Sequence, residues 1–146
     1  MADYTRPLLA HVQIECADFE ASCRFFDAVL APLGAHRMID MSPHALAYGA
    51  QDGPVFWIGG NCPGGSSTLP SHIAFSAGSK DAVEAFVAAG RALGAEVLNE
   101  PREWPEYYGG PLVGYYAGFL RDPDGNNIEA TFETLDFTKS AEPLHQ

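Results

Sequence analysis

Residues 114–132 read GYYAGFLRDPDGNNIEATF. Two runs rich in aromatic and β-branched residues flank Asp122-Pro123-Asp124-Gly125. That tetrapeptide signals a turn for a physical reason: Pro123 presets φ at the first turn position and Gly125 tolerates positive φ. The pattern predicts a β-hairpin, residues 115–121 paired with 126–132. In the second strand Ile128, Ala130 and Phe132 share one face, and Asn127, Glu129 and Thr131 share the other, because side chains alternate. A four-residue loop would set Gly118 opposite Glu129 and Tyr116 opposite Thr131, leaving room in front of the Glu129 carboxylate. In that register Tyr116 shares the face of Glu129 and Tyr115 lies beneath. Taken alone, Glu129 reads as a surface-facing residue of a half-buried sheet; the upstream chain gives it another reading.

Upstream, one pattern occurs twice. Residues 11–16 (HVQIEC) alternate as a strand, with Val12, Ile14 and Cys16 on one face and His11, Gln13 and Glu15 on the other. Asp18 then caps a helix with apolar residues at helical spacing, closed by Gly34. Strand-like pieces follow at 36–40, 45–49 and 55–59. Residues 61–70 (NCPGGSSTLP) have linker composition. The pattern then restarts: a strand at 72–77 (HIAFSA), a helix capped by Ser79 and ended by Gly94, a strand at 96–98, a loop over 99–111 and the hairpin. HVQIECADFEASCRFF aligns with HIAFSAGSKDAVEAFV, matching His11 to His72 and Phe25 to Phe86. Each half is small for a core of its own, so the duplication predicts one α+β domain: module one over 8–60, module two over 71–132 and a polar tail over 133–146.

Composition narrows the partners. The chain has 146 residues, with 8 Lys+Arg against 19 Asp+Glu and a formal net charge of −11. This argues against nucleic acid or an anionic membrane as the main partner. No apolar run approaches a membrane span of about 20 residues. Three cysteines without a C-x-x-C pair argue against a disulfide framework or zinc knuckle, and point to a reducing cytoplasm.

The paired modules, the histidine opening each, and the closing DPDGNNIEATF resemble the glyoxalase / bleomycin-resistance / ring-cleaving dioxygenase superfamily, the vicinal oxygen chelate fold. The resemblance implies two tandem βαβββ modules forming a cupped mixed sheet, with helices outside and a metal inside. Its ligand positions fall on His11, Trp57, His72 and Glu129. Trp57 stands where the glyoxalase I enzymes usually carry a carboxylate, and an indole N–H offers no lone pair. The implied ligands are therefore His11, His72 and Glu129. That set leaves open positions, as non-haem Fe(II) oxygenases and catalytic zinc sites do.

The expectation is a cytoplasmic, homodimeric metalloenzyme acting on a small oxygen-chelating molecule. Fe(II) or Mn(II) is the expected metal, ahead of Zn(II) or Ni(II), and oxygen-dependent dioxygenase chemistry is placed ahead of isomerase or lyase chemistry. A metal-free binding or resistance protein is the other class. Tyr116 or Glu15 would transfer protons. Trp57, Tyr116, Gln13 and Tyr108 would contact substrate, with Trp104, Tyr107 and Tyr108 on a loop that reads equally as a lid or a dimer contact.

Overall fold

The computed structural model describes residues 9–51, 53–60 and 70–139. The expected linker lies outside them except for Pro70, as does the tail beyond Lys139. The first module runs β1 (Val12–Cys16), α1 (Phe19–Leu30), a 3-10 turn (Ala31–Leu33), β2 (His36–Met41), β3 (Ala45–Ala50) and β4 (Gly53–Gly60). The second runs β5 (His72–Ser76), α2 (Lys80–Ala92), β6 (Val97–Glu103), a 3-10 turn (Pro105–Tyr107), β7 (Leu112–Arg121) and β8 (Asn127–Leu135). The two four-stranded sheets have equivalent orders, β1-β4-β3-β2 and β5-β8-β7-β6. In each the first strand is parallel to the last and the other pairings are antiparallel. This is the α+β duplication that the repeat implied.

The local signals act as their chemistry dictates. Asp18 accepts the Ala21 N–H at 3.0 Å and Ser79 accepts the Ala82 N–H at 3.1 Å, each satisfying a free donor at a helix start. Each sheet buries one face under its own helix. Ile14, Leu46, Tyr48, Phe56 and Ile58 pack on α1; Leu120, Ile128 and Ala130 pack with Val83, Phe86 and Val87 of α2. The two helices touch, and a single core runs through both modules. Phe56 joins them, with its ring centroid 4.9 Å from Phe26 on one side and 4.9 Å from Phe75 on the other.

The closing turn also ties the modules together. Asp124 accepts the Ala17 N–H at 3.0 Å and the Ser22 hydroxyl at 3.4 Å, so a turn in module two holds the start of α1 in module one. Asp122 shapes that turn by accepting from Asp124 N, Asn126 N and Asn126 Nδ2. Burial pushes the Asp122 carboxyl above its ordinary pKa, against those bonds. Asp124→Ala removes both links, each worth about 1 kcal/mol. The expected result is a melting temperature lower by a few degrees with unchanged secondary structure, read by circular dichroism.

The structure corrects the hairpin register. Arg121 pairs with Asn127, so the loop has five residues, 122–126, and Asn126 is a buried member of the turn. Every later pairing shifts by one: Phe119 faces Glu129, Ala117 faces Thr131, and Tyr116 faces Phe132. Gly118 therefore lies on the helix side. A Cβ there would come within 2.6 Å of Val87, so its job is to admit α2 against β7. Two further boundaries move. The first part of the expected loop over 99–111 is strand, since β6 reaches Glu103 through two bulges. The expected tail begins as strand, since β8 reaches Leu135.

Candidate functional site

No helix packs on the face of each sheet opposite its own helix, and the sequence places its chemistry there. In module two, His72 opens β5 opposite Asn127 of β8, and Glu129 sits two residues beyond Asn127 on the same face. His72 Nε2 lies 2.9 Å from Glu129 Oε1. The His72 side chain is half exposed, whereas Glu129 is 2% exposed. The second carboxylate oxygen, Oε2, accepts the Tyr115 hydroxyl. Burial and this carboxylate push the Tyr115 phenol well above its ordinary pKa, so it remains a donor. Phe119 stands directly across the ladder, its ring centroid 6.2 Å from that of His72. On the same face, Asn127 Oδ1 and Thr131 Oγ1 are buried with no hydrogen-bond partner among the described residues.

The loop aromatics form a fixed wall beside this group. Trp104 donates its indole N–H to Ala117 O at 3.0 Å and is buried. Tyr107 stacks on it with centroids 5.3 Å apart, and the Arg102 guanidinium lies 3.4 Å from its ring centroid. Tyr107 also meets Tyr115 edge-on at 5.4 Å.

Module one carries the other candidates. Trp57 follows Phe56 on β4 and therefore faces away from α1; its N–H donates to Pro54 O at 3.1 Å. His11 precedes β1, with its ring centroid 6.3 Å from that of Trp57. Gln13 Nε2 donates to Glu15 Oε1 at 2.9 Å. Gly59 pairs with Glu15, and a Cβ there would come within 2.7 Å of both Gln13 Nε2 and Glu15 Oε2. The missing side chain lets this hydrogen-bonded pair lie flat on the sheet.

The structure thus brings His72 and Glu129 together, and His11, Trp57, Gln13 and Glu15 together, as two groups. His11 and His72 both border a cavity of about 350 Å³ between β1 and β5. Even so, no three His, Cys, Asp or Glu side chains converge on one point among the described residues. Two expected substrate contacts are corrected. Tyr116 turns to the helix side, where its hydroxyl donates to Glu84 of α2 and its pKa is pushed up to about 12. Tyr108 donates to Glu103 at 2.8 Å, and Glu103 is held by Lys80 of α2, so it too is tied to the outer side. The residues missed were Tyr115 and Phe119; Trp104, expected on a loop that reads as a lid or a dimer contact, is instead buried beside them. The usable signal was the Asp122–Asn126 spacing, which makes Asn126 part of the turn and moves Tyr115 to the open face.

A family model for the glyoxalase-like domain matches residues 11–131. The chain belongs to the glyoxalase-like domain family. Among solved structures, a glyoxalase/bleomycin resistance protein from Albidiferax ferrireducens is 31% identical with a TM-score of 0.72, covering 86% of this chain and 99% of that one. Two more distant structures share the fold. A lactoylglutathione lyase from Agrobacterium tumefaciens is 19% identical (TM-score 0.61, covering 86% of this chain and 94% of that one). A fosfomycin resistance protein from Mesorhizobium loti is also 19% identical (TM-score 0.58, covering 87% and 92%). No curated protein matches the sequence. Among the described residues no helix of this family member is long and apolar enough to cross a membrane.

The donor chemistry of module two fits a divalent ion in part. An imidazole and a carboxylate oxygen converge, Tyr115 fixes the other carboxylate oxygen, and Asn127 Oδ1 is an orphaned acceptor nearby. Two protein donors are fewer than catalytic sites usually supply. A third imidazole or carboxylate must come from outside this group.

Proposed function

We propose that this glyoxalase-like domain is a homodimeric, metal-dependent enzyme acting on a small organic substrate, with each site shared between two copies. His72 and Glu129 of one copy and His11 of the other would hold the ion. The observation that carries the reading is the pairing of His72 with a buried Glu129 on the sheet face opposite α2, while His11 stays beside Trp57 on the other module's face opposite α1. A divalent metal, Fe(II) or Mn(II) in preference to Zn(II) or Ni(II), would supply Lewis acidity toward vicinal substrate oxygens and open positions for O₂ or water. The protein's own groups have separable tasks. Tyr115 holds one oxygen of Glu129 so that the other stays directed at the ligand side. Trp57 offers a ring face for stacking, and Gln13 orients Glu15.

We assign oxygen-dependent chemistry first, because two imidazoles and one carboxylate leave room for both a chelating substrate and O₂. One observation favours a second reading, an isomerase or lyase. Glu15 is a carboxylate held by Gln13 on the His11 face, and it could move a proton on a bound substrate. Elemental analysis of protein purified without added metal or chelator tests the metal. Turnover with and without O₂, on a substrate found by screening catechols, quinones and α-keto compounds, tests the reaction. Undiminished anaerobic turnover would remove the oxygenase reading.

Tyr115 and Tyr116 separate cleanly. Tyr115→Phe is expected to weaken metal affinity about 10- to 100-fold, the usual effect of losing a partner that orients a ligand. Tyr116→Phe, which touches only the helix side, is expected to leave it unchanged. Titration of both variants with Mn(II), followed by calorimetry, checks this.

A further inference from the structure

We infer that the site takes an uncharged, flat substrate and rejects anionic ones. This deepens the proposed function and rests on its reading of the open faces as the substrate's walls.

The first observation is where the cations are. The chain has 8 Lys and Arg residues, and seven lie in the described part. Five of the seven are paired with carboxylates: Arg37 with Asp27, Lys80 with Glu103, Arg91 with Glu100, Arg102 with Glu106, and Arg121 with Glu96. Of the remaining two, Arg24 lies on α1, the covered side of its sheet, and Lys139 lies beyond the end of β8. Arg102, the cation nearest the aromatic wall, also has its guanidinium seated on Trp104. No unpaired cation stands on either open face among the described residues.

The second observation is what those faces do present. Glu15 and Glu133 lie on them with Glu129, since Glu133 pairs with Tyr115 across the ladder. A bound dication would be offset by Glu129 and Glu15, leaving no surplus positive charge for an anionic substituent. A carboxylate or phosphonate entering there would lose water and meet no unpaired cation among the described residues, which is unfavourable. The apolar groups complete the picture. Trp57 pairs with Ala47, and Glu15's neighbour Gly59 pairs with Ala45, so a shelf of methyl groups and bare backbone lies beside the indole. Ile39 and Met41 continue that surface on β2, with 37% and 56% of their area exposed. Phe119 and Tyr115 stand on the corresponding face of module two. Aromatic and methyl surfaces of this kind suit a flat ring.

The test uses two probes with the same pair of oxygens. Catechol is uncharged at neutral pH, and protocatechuate is the same ring bearing a carboxylate. Binding is followed by tryptophan fluorescence on chelator-treated and on Mn(II)-loaded protein, with Trp57→Phe marking the signal that comes from the indole in the cup. Catechol is expected to bind about tenfold tighter than protocatechuate on both forms. Glu15→Gln is expected to narrow the gap by strengthening protocatechuate alone. Equal or tighter binding of protocatechuate to wild type would overturn the inference, and so would failure of both probes to bind. Catechol binding that ignores Mn(II) would count against the metal reading and leave the substrate class standing.

Discussion

Replacing His72 with alanine is expected to strip the metal while leaving the fold intact. His72 contributes one imidazole of three proposed donors, and its nitrogen is 2.9 Å from Glu129 Oε1. Losing a donor should cost more than the roughly 10- to 100-fold in affinity that follows loss of an outer partner. The side chain is 53% exposed, and the residues that pack β5 on the core, Ile73 and Phe75, are untouched. Metal content per chain should fall from near stoichiometric to a small fraction, with an unchanged melting curve apart from the metal's own stabilisation. A His72→Ala protein that retains its full metal complement would rule His72 out as a ligand.

The largest effect on stability is expected from Phe56→Ala. Phe56 is 2% exposed and touches Phe26, Tyr48 and Phe75 with its ring. Truncating such a side chain costs about 3–5 kcal/mol, a large part of the roughly 5–15 kcal/mol that stabilises a domain. The melting temperature should drop by roughly 10 °C. The position is also the junction of the two modules. Fluorescence of the two tryptophans, Trp57 in module one and Trp104 in module two, should show whether the modules then melt apart. Coincident transitions with a loss below about 1 kcal/mol would mean that Phe56 is not the joint described here.

Much of this fold was legible because the chain states it twice. Asp18 and Ser79 mark equivalent helix starts, and Gly34 and Gly94 take positive φ at equivalent helix ends. Glu129 was legible through its parity on β8. The faces of Tyr115 and Tyr116 were not, because they depend on whether Asn126 belongs to the strand or to the turn. That is settled by its bonds to Asp122, a contact between side chains that a β-turn template does not contain. The aromatic wall was hidden for a related reason. Residues rich in Pro, Trp and Tyr read as loop, yet bulges in β6 let Glu103 pair with Tyr116 and deliver Trp104 to the far face. His11 could be assigned to a face but not to a neighbour, because alternation orders one strand and says nothing of how two modules meet.

The sharing of each site between two copies is tested most directly by mixing two defective chains. His11→Ala and His72→Ala proteins should each bind little metal alone. Denatured together and refolded, they should form heterodimers in which one site draws His11 from one chain and both His72 and Glu129 from the other. Random pairing in a two-fold dimer then restores about one site in four. Recovery of metal binding near that level is the predicted result. If the mixture binds no more metal than the separate variants, all three ligands belong to one chain or His11 is not among them.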